Sequence, residues 1–244
     1  MTRTFSETAF ARAFEDVVLG GSWQEESRYY PRYRTRYEAV LRRFSELAPP
    51  APARVLEVGG GQLAALASRL WDDDVTVADI DDTCFATLTA QGIETFRFNL
   101  ARDAAPVGRE YDVVLLSEVI EHLPVPGHVA FRRLNAVLRP GGTLVCSTPN
   151  LYRLRNVVYL ATGRPIFDHF DEPSDEGSGH VLEYSAEHLR WQLERAGFAD
   201  ISVELHEFAH SPNRRADRVL SRIGKPLLRV PRFRDNLLAT GVAP

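Results

Sequence analysis

Val55-Leu-Glu-Val-Gly-Gly-Gly-Gln-Leu63 is the stretch whose reading decides the fold. An apolar run leads through the acidic Glu57 to the glycines Gly59, Gly60 and Gly61, and a helical pattern then runs from Gln62 to Leu70. Twenty residues beyond Gly59, a second apolar run, Val75-Thr-Val-Ala, ends at Asp79. A strand, a glycine turn, a helix and a second strand ending in a carboxylate make a nucleotide-binding βαβ unit. The glycines let the backbone approach a ligand closely, and Asp79 offers acceptors to ribose hydroxyls.

The alternation continues outward from this unit. Strands are predicted at 53–58, 75–79, 94–98, 111–117 and 142–147, and helices at 62–71, 82–91 and 126–138. Asp81 or Asp82 suits the N-cap of the second helix, and Pro126 the start of the third. Pro140-Gly141-Gly142 reads as a tight turn into the fifth strand. Such a rhythm implies a mostly parallel sheet with helices on both faces.

Ahead of it, residues 1–50 read as helical. One helix runs from the cap Ser6 to about Val18, stopped by Gly20-Gly21, and a second from Pro31 to Leu47. Past Asn150 come a helix over 151–162, an irregular segment over 164–184, a helix from Ser185 to about Ala196 and strands at 201–208 and 236–242. So long a loop inside a compact domain is usually functional or mobile.

The 244 residues fit one α/β domain with additions, and at 44% hydrophobic they suffice for a core. A net charge of −4 gives no global basic field for nucleic acid. The two cysteines, Cys84 and Cys146, have neither metal spacing nor a disulfide framework, which fits free thiols in a reducing compartment. The N-terminus lacks the apolar core of a secretory signal, and the longest central aliphatic run, Val113 to Leu116, is too short to span a bilayer. A cytoplasmic location is the expectation.

Two cofactor classes share this βαβ grammar. Dinucleotide enzymes use Gly-x-Gly-x-x-Gly, because a pyrophosphate rests on the helix N-terminus. Gly59-Gly60-Gly61-Gln62-Leu63-Ala64 lacks the last glycine, and Glu57 just ahead of it would repel a pyrophosphate. The same carboxylate suits a ligand with positive charge beside its ribose. S-adenosyl-L-methionine, with a sulfonium and an ammonium, is such a ligand.

Taken together, Glu57-x-Gly59-x-Gly61, Asp79, the run Tyr111-Asp-Val-Val-Leu-Leu-Ser-Glu-Val-Ile-Glu-His-Leu123 and Leu138-Arg-Pro-Gly-Gly-Thr-Leu-Val-Cys-Ser-Thr-Pro-Asn150 resemble the class I S-adenosylmethionine-dependent methyltransferases. The resemblance covers about residues 53–208 and departs at Leu63, where many members have a third glycine. It implies a Rossmann-like α/β fold: a seven-stranded, mostly parallel sheet with the last element antiparallel, helices on both faces and an N-terminal helical cap. It divides the chain into the cap, 1–50, and the cofactor-binding domain, 51–244. The latter carries an acceptor-loop insert at about 150–184 and a basic tail at 210–234.

The resemblance also implies roles. Gly59 and Gly61 would contact the methionine part, Glu57 would help hold that end, Asp79 would bind the ribose and Ile80 would pack on the adenine. Asn99-Leu100 falls where the family often places an aspartate for the adenine amino group, and Asn99 is read either as that contact, through its amide oxygen, or as a turn residue. Ser117 and Glu118 would line the methyl-transfer centre. Asp79 has a second reading as a helix cap. Tyr29, Tyr30, Tyr33 and Tyr37 read either as a lid over the cofactor or as helix packing.

Methyl transfer is an in-line displacement on an activated carbon, so positioning supplies much of the rate. A hydroxyl acceptor also needs a base, for which His is suited near neutral pH. His180 is the preferred candidate, with a loop-fixing reading beside it, in Gly179-His-Val-Leu-Glu-Tyr-Ser185, which resembles a His-x-x-x-Tyr element of small-molecule and sugar methyltransferases. His122, in Glu118-Val-Ile-Glu-His122, is the second candidate, with a structural reading beside it; His169 is weaker. Asp168-x-x-Asp171-Glu172 has no matching ligand set elsewhere, so no metal is assigned.

The expected activity is O-methylation of a small-molecule or glycan hydroxyl, of a biosynthetic or secondary-metabolite kind. Methylation of nitrogen, carbon or a carboxylate stays open, as does a degenerate cofactor-binding partner protein, which Leu63 and Asn99 keep in view. Nucleic-acid acceptors are disfavoured: the fourth strand ends in Ser-Glu-Val rather than Asn/Asp-Pro-Pro-Tyr/Phe. The arginine- and lysine-rich tail 210–234 reads as a helix packed on the sheet or as a weak membrane-surface contact. A homodimer is compatible with this reading.

Overall fold

The computed structural model describes residues 3–25, 28–106, 108, 110–167, 179–208 and 229–244. The strands are β1 (Arg54–Val58), β2 (Asp74–Asp79), β3 (Glu94–Arg97), β4 (Tyr111–Ser117), β5 (Leu138–Pro149), β6 (Ala199–His206) and β7 (Asn236–Val242). They form one seven-stranded sheet in the order β3-β2-β1-β4-β5-β7-β6. β1 to β5 pair in parallel, and β7 runs antiparallel between β5 and β6. The helices are α1 (Glu7–Ala13), α2 (Tyr29–Leu47), α3 (Gln62–Trp71), α4 (Phe85–Ala90), α5 (Gly127–Asn135), α6 (Leu154–Ala161) and α7 (Ala186–Arg195). This is the Rossmann-like arrangement expected from the sequence.

The central strands are apolar on both faces because both faces are covered. In β4, Val113 and Leu115 join one apolar cluster, while Val114 and Leu116 join the other. The first cluster takes in α1 to α4 through residues such as Phe10, Val40, Leu66 and Leu88. The second takes in α5 and α7 through Phe131, Leu134, Leu189 and Leu193. The N-terminal helices therefore build part of the central core. Arg3 anchors the start of the chain, pairing with Asp73 at 2.5 and 2.7 Å.

Several boundaries differ from expectation for local reasons. The first helix is capped by Ser6, whose Oγ accepts from Ala9 N–H at 3.3 Å, but it widens into a π-helical turn over Phe14–Leu19. Neither Asp81 nor Asp82 caps α4. Asp81 instead folds back on Thr83, accepting from its N–H and hydroxyl at 2.9 and 2.7 Å, so the helix starts at Phe85. Pro140-Gly141-Gly142 lies within β5: the register jumps from Tyr111↔Leu138 to Val113↔Thr143, leaving a bulge where Gly141 has φ 77°. α6 begins at Leu154, because the Asn150 side chain accepts from Tyr152 N–H and donates to the carbonyls of Arg232 and Arg234.

His169, Asp168, Asp171, Glu172 and residues 210–228 of the basic tail lie outside the described residues. Among the described residues no helix is long and apolar enough to cross a membrane.

Candidate active site

Strand order reverses between β1 and β4, and in open α/β sheets that point opens a crevice at the carboxyl ends of the strands. Gly59 and Gly60 enter it after β1, Asp79 and Ile80 at the end of β2, Asn99 and Leu100 after β3, and Ser117 and Glu118 at the end of β4. From the opposite side, Tyr29, Tyr30, Arg36 and Tyr37 of α2 close over it.

The glycine loop has left-handed backbone throughout, with φ of 91°, 71° and 91° at Gly59, Gly60 and Gly61. A Cβ on Gly59 would stand 2.5 Å from Val119 Cγ2, and one on Gly60 2.5 Å from Gln62 Oε1. Gly61 faces away from the crevice: its Cβ position is 2.8 Å from Leu88 Cδ1, on the core side. The loop thus offers the crevice the backbone of Gly59 and Gly60, and sequence reading missed Gly60. Leu63, the departure from the family pattern, is buried in the first turn of α3 and lines the crevice floor.

Glu57 is buried, and its Oε2 accepts from Ala64 N–H at 2.6 Å, at the start of α3. Burial pushes its carboxyl up to about 8, against the backbone N–H groups of Ala64, Leu63 and Gly61, which favour the ionised form. Glu57 therefore holds the helix start as well as facing the crevice. Asp79 accepts from Gly60 N–H at 2.9 Å and from Asp81 N–H at 3.1 Å, tying β2 to the glycine loop. Burial raises its pKa, opposed by these same donors. Asn99 takes the turn role: its Oδ1 accepts from Ala101 N–H at 2.9 Å, while Asp103 accepts from its own N–H.

Glu118 follows the last residue of β4 with φ 55°, a left-handed conformation that is strained for a residue with a Cβ. Surrounding contacts fix it there. Ser147 Oγ and Asn236 Nδ2 each donate to Oε1 at 2.9 Å, and Arg36 pairs with Oε2 at 3.1 Å. Ser117 Oγ is 2.8 Å from Ser147 Oγ. Arg36 is buried and donates to Tyr29 Oη at 2.8 Å, and its guanidinium lies 4.6 Å from the Tyr33 ring centre. Burial works against its charge, but Glu118 and Tyr29 more than compensate and raise its pKa. Sequence reading missed Arg36. The signal was present, because positions 29, 33, 36 and 40 share one helix face and an arginine interrupts an otherwise apolar stripe. The tyrosines both pack and line: Tyr30 and Tyr37 are buried, and both border the crevice.

His122 borders the crevice from the short 3-10 turn Ile120–His122. His180 does not border it directly; it faces His122 edge-on, with ring centres 5.0 Å apart. Backbone bonds lock this pairing, since Val181 and Leu182 N–H both donate to Glu121 O, and His122 Nδ1 is 2.7 Å from Gly179 O. His180 Nδ1 is 2.9 Å from Oε1 of the buried Glu183. Arg153 and Asn156 also bond Glu183. Burial opposes its charge, but His180, Arg153 and Asn156 together hold its pKa below the ordinary value. The spacing of three between His180 and Glu183 was the legible sign of this pair. Glu121 is buried, with Oε2 accepting from Thr148 Oγ1 at 3.0 Å.

A model of the methyltransferase domain family matches residues 29–203, most of the chain. A SAM-dependent methyltransferase from Archaeoglobus fulgidus has the same fold, with TM-score 0.58 and 17% identity over 88% of this chain and 97% of that one. The chain belongs to the S-adenosylmethionine-dependent class I methyltransferases. This methyltransferase is 36% identical over 117 residues to the ubiquinone biosynthesis O-methyltransferase of Roseobacter denitrificans, covering 43% of this chain and 46% of that protein. With the protein of the same name from Bordetella avium, identity is 29% over 172 residues, 63% of this chain and 70% of that one. The methyltransferase thus spans about half the length of the first relative and about two thirds of the second.

Proposed function

We propose that this methyltransferase transfers the methyl group of S-adenosylmethionine to a hydroxyl oxygen of a small molecule, with His180 receiving the hydroxyl proton. The observation that carries this reading is the Glu183–His180 pair, held against His122 at the edge of the crevice.

The crevice suits the cofactor part by part. Its glycine cradle has no room for a side chain at Gly59, where a Cβ would meet Val119, and the positive φ at Gly60 disfavours one there. Glu57 would face the ammonium and sulfonium end, whose positive charge would favour its ionised form, and Arg36 of α2 would face the carboxylate. Asp79 would take the ribose hydroxyls, Ile80 and Leu100 would pack on the adenine, and Asn99, whose Oδ1 accepts from Ala101 N–H, would offer its second lone pair to the amino group. Gly61 supports the loop from the core side, and Ser117 and Glu118, which line the crevice, would face the transfer centre. The cofactor, when bound, supplies an electrophilic methyl carbon.

The chain's own residues supply orientation and proton removal. His180 donates from Nδ1 to Glu183, so its basic lone pair is on Nε2. The ionised Glu183 stabilises the imidazolium that forms when that lone pair takes the proton. Glu118, fixed by Arg36, Ser147 and Asn236, gives the end of β4 a rigid edge against which an acceptor is positioned.

The names of the relatives favour oxygen as the acceptor atom and a quinone precursor as the first acceptor class to try; they give no support to a glycan or a secondary metabolite. Aromatic lining from Tyr29, Tyr30 and Tyr37 is consistent with a planar acceptor. His180→Ala should lower kcat by about 100- to 10,000-fold with cofactor affinity unchanged. Full turnover in that variant would point instead to a carboxylate or another acceptor that needs no base.

A further inference from the structure

We propose that Arg153 and Asn156, at the start of α6, are positioning residues for the methyl transfer: they aim Glu183 at His180 and hold that pair in line with the crevice. The proposal rests on the reading of His180 as the base and deepens it.

Glu183 cannot keep its place or its charge alone. Its side chain is wholly buried, where a lone carboxylate would lose its charge or turn out to water. Both of its oxygens are taken. Oε1 accepts from His180 Nδ1 at 2.9 Å and from Arg153 Nη2, and Oε2 accepts from Asn156 Nδ2 at 2.5 Å. The carboxylate is thus gripped by three donors, two of which come from a different segment of the chain.

Asn156 joins the cluster together. It is fully buried, and both ends of its amide are in use. Nδ2 donates to Glu183 and to Leu151 O at 3.0 Å, while Oδ1 accepts from Arg153 Nε at 3.2 Å. Turning the amide over would set its oxygen against the carboxylate, so its neighbours leave it one orientation. Arg153 is therefore held at two points, by Nε on Asn156 and by Nη2 on Glu183, with its side chain only 13% exposed. A guanidinium fixed in this way differs from a solvated surface pair, which contributes little. Arg155 Nη2 stands 3.9 Å from the same Glu183 oxygen, beyond bonding distance, so the grip from α6 comes from Arg153 and Asn156.

The backbone fastens this unit to the base. Leu151 N–H donates to Tyr184 O at 2.9 Å, one residue past Glu183, which ties the connection between β5 and α6 to the segment that carries His180. When His180 takes the hydroxyl proton, the new imidazolium meets a carboxylate that is already charged, aligned and unable to rotate. Little reorganisation is then needed at that moment.

The test is steady-state kinetics of the full chain with S-adenosylmethionine and a phenolic quinone precursor, with S-adenosylhomocysteine binding measured by calorimetry to show that each variant is folded. Asn156→Leu and Arg153→Gln should each lower kcat ~10- to 100-fold and leave KM for both substrates unchanged. In the His180→Ala background the same substitutions should cost nothing further, because the group they position is gone. Arg153→Gln, at the more exposed of the two positions, carries the test if the buried Asn156→Leu fails to fold. Thr162→Val, at the far end of α6, where Oγ1 donates to the carbonyls of Val158 and Tyr159, should leave kcat unchanged. Wild-type kcat in the folded variants, or an equal loss with and without His180, overturns the proposal while leaving His180 as the base. Full turnover of His180→Ala would instead remove the base reading, and this proposal with it.

Discussion

Glu57 makes the stability of the unliganded protein depend on pH. Burial lifts its carboxyl from 4.5 to about 8, so between those values the folded chain holds a proton that the unfolded chain releases. Its stabilisation is complete below the unfolded value and is lost as pH rises through about 8. Glu57→Gln mimics the protonated group, so the melting temperature of the wild type should fall relative to that variant between about pH 5 and pH 9. A constant difference across that range would show that Glu57 is ionised in the folded protein. Glu57 and Asp79 were legible because each closes an apolar run, which places it at a strand end. Arg36 and Glu183 were not assigned: an interrupted apolar stripe and the spacing to His180 are only faint signs, and their other partners lie far away in sequence. Arg36 meets Glu118 across the crevice, and Glu183 gathers Arg153 and Asn156 from another segment.

The β1–α3 loop shows why an element can be read more securely than its edges. Three successive glycines can only mean unusual backbone, and all three have positive φ. Gly59→Ala should therefore weaken cofactor binding by two effects: the strained φ and the 2.5 Å approach to Val119 Cγ2. Calorimetry with S-adenosylhomocysteine should show a loss of ~10-fold or more, partly restored by Val119→Ala, which removes the steric half. Equal affinity in Gly59→Ala would mean that the loop moves away from the ligand. The ends of α4 and β5 escaped sequence reading because side chains near them had competing uses. Asp81 bonds Thr83 instead of capping, and the Pro140-Gly141-Gly142 turn is absorbed as a bulge that β4 still pairs around. β7, in contrast, coincides with its predicted span of 236–242, because it is a short apolar run between turn residues.

Across the molecule, sequence alternation fixes which strands are parallel, while the position of β7 between β5 and β6 rests on the resemblance to known folds. The N-terminal residues 1–50 read as a cap, yet Phe10, Phe14, Val40 and Phe44 share an apolar cluster with Val55 and Val113 of the sheet. We infer that cap and sheet unfold together. Phe44 is fully buried against Trp71 and the Arg3 guanidinium. Phe44→Ala should lower stability by about 3–5 kcal/mol. Urea unfolding followed by fluorescence and circular dichroism should still give one transition; a separate early transition would show that the cap is an independent unit.

The measurement that bears most directly on the proposed O-methylation is the position of the transferred methyl group. Protein, 13C-methyl S-adenosylmethionine and a phenolic quinone precursor are incubated together, and the product is examined by NMR and mass spectrometry. Transfer to a hydroxyl oxygen with His180 as base predicts a labelled methyl ether, formed by the wild type and nearly absent with His180→Ala. Label on nitrogen or carbon, or a bound cofactor with no labelled product from any hydroxyl acceptor, would contradict it.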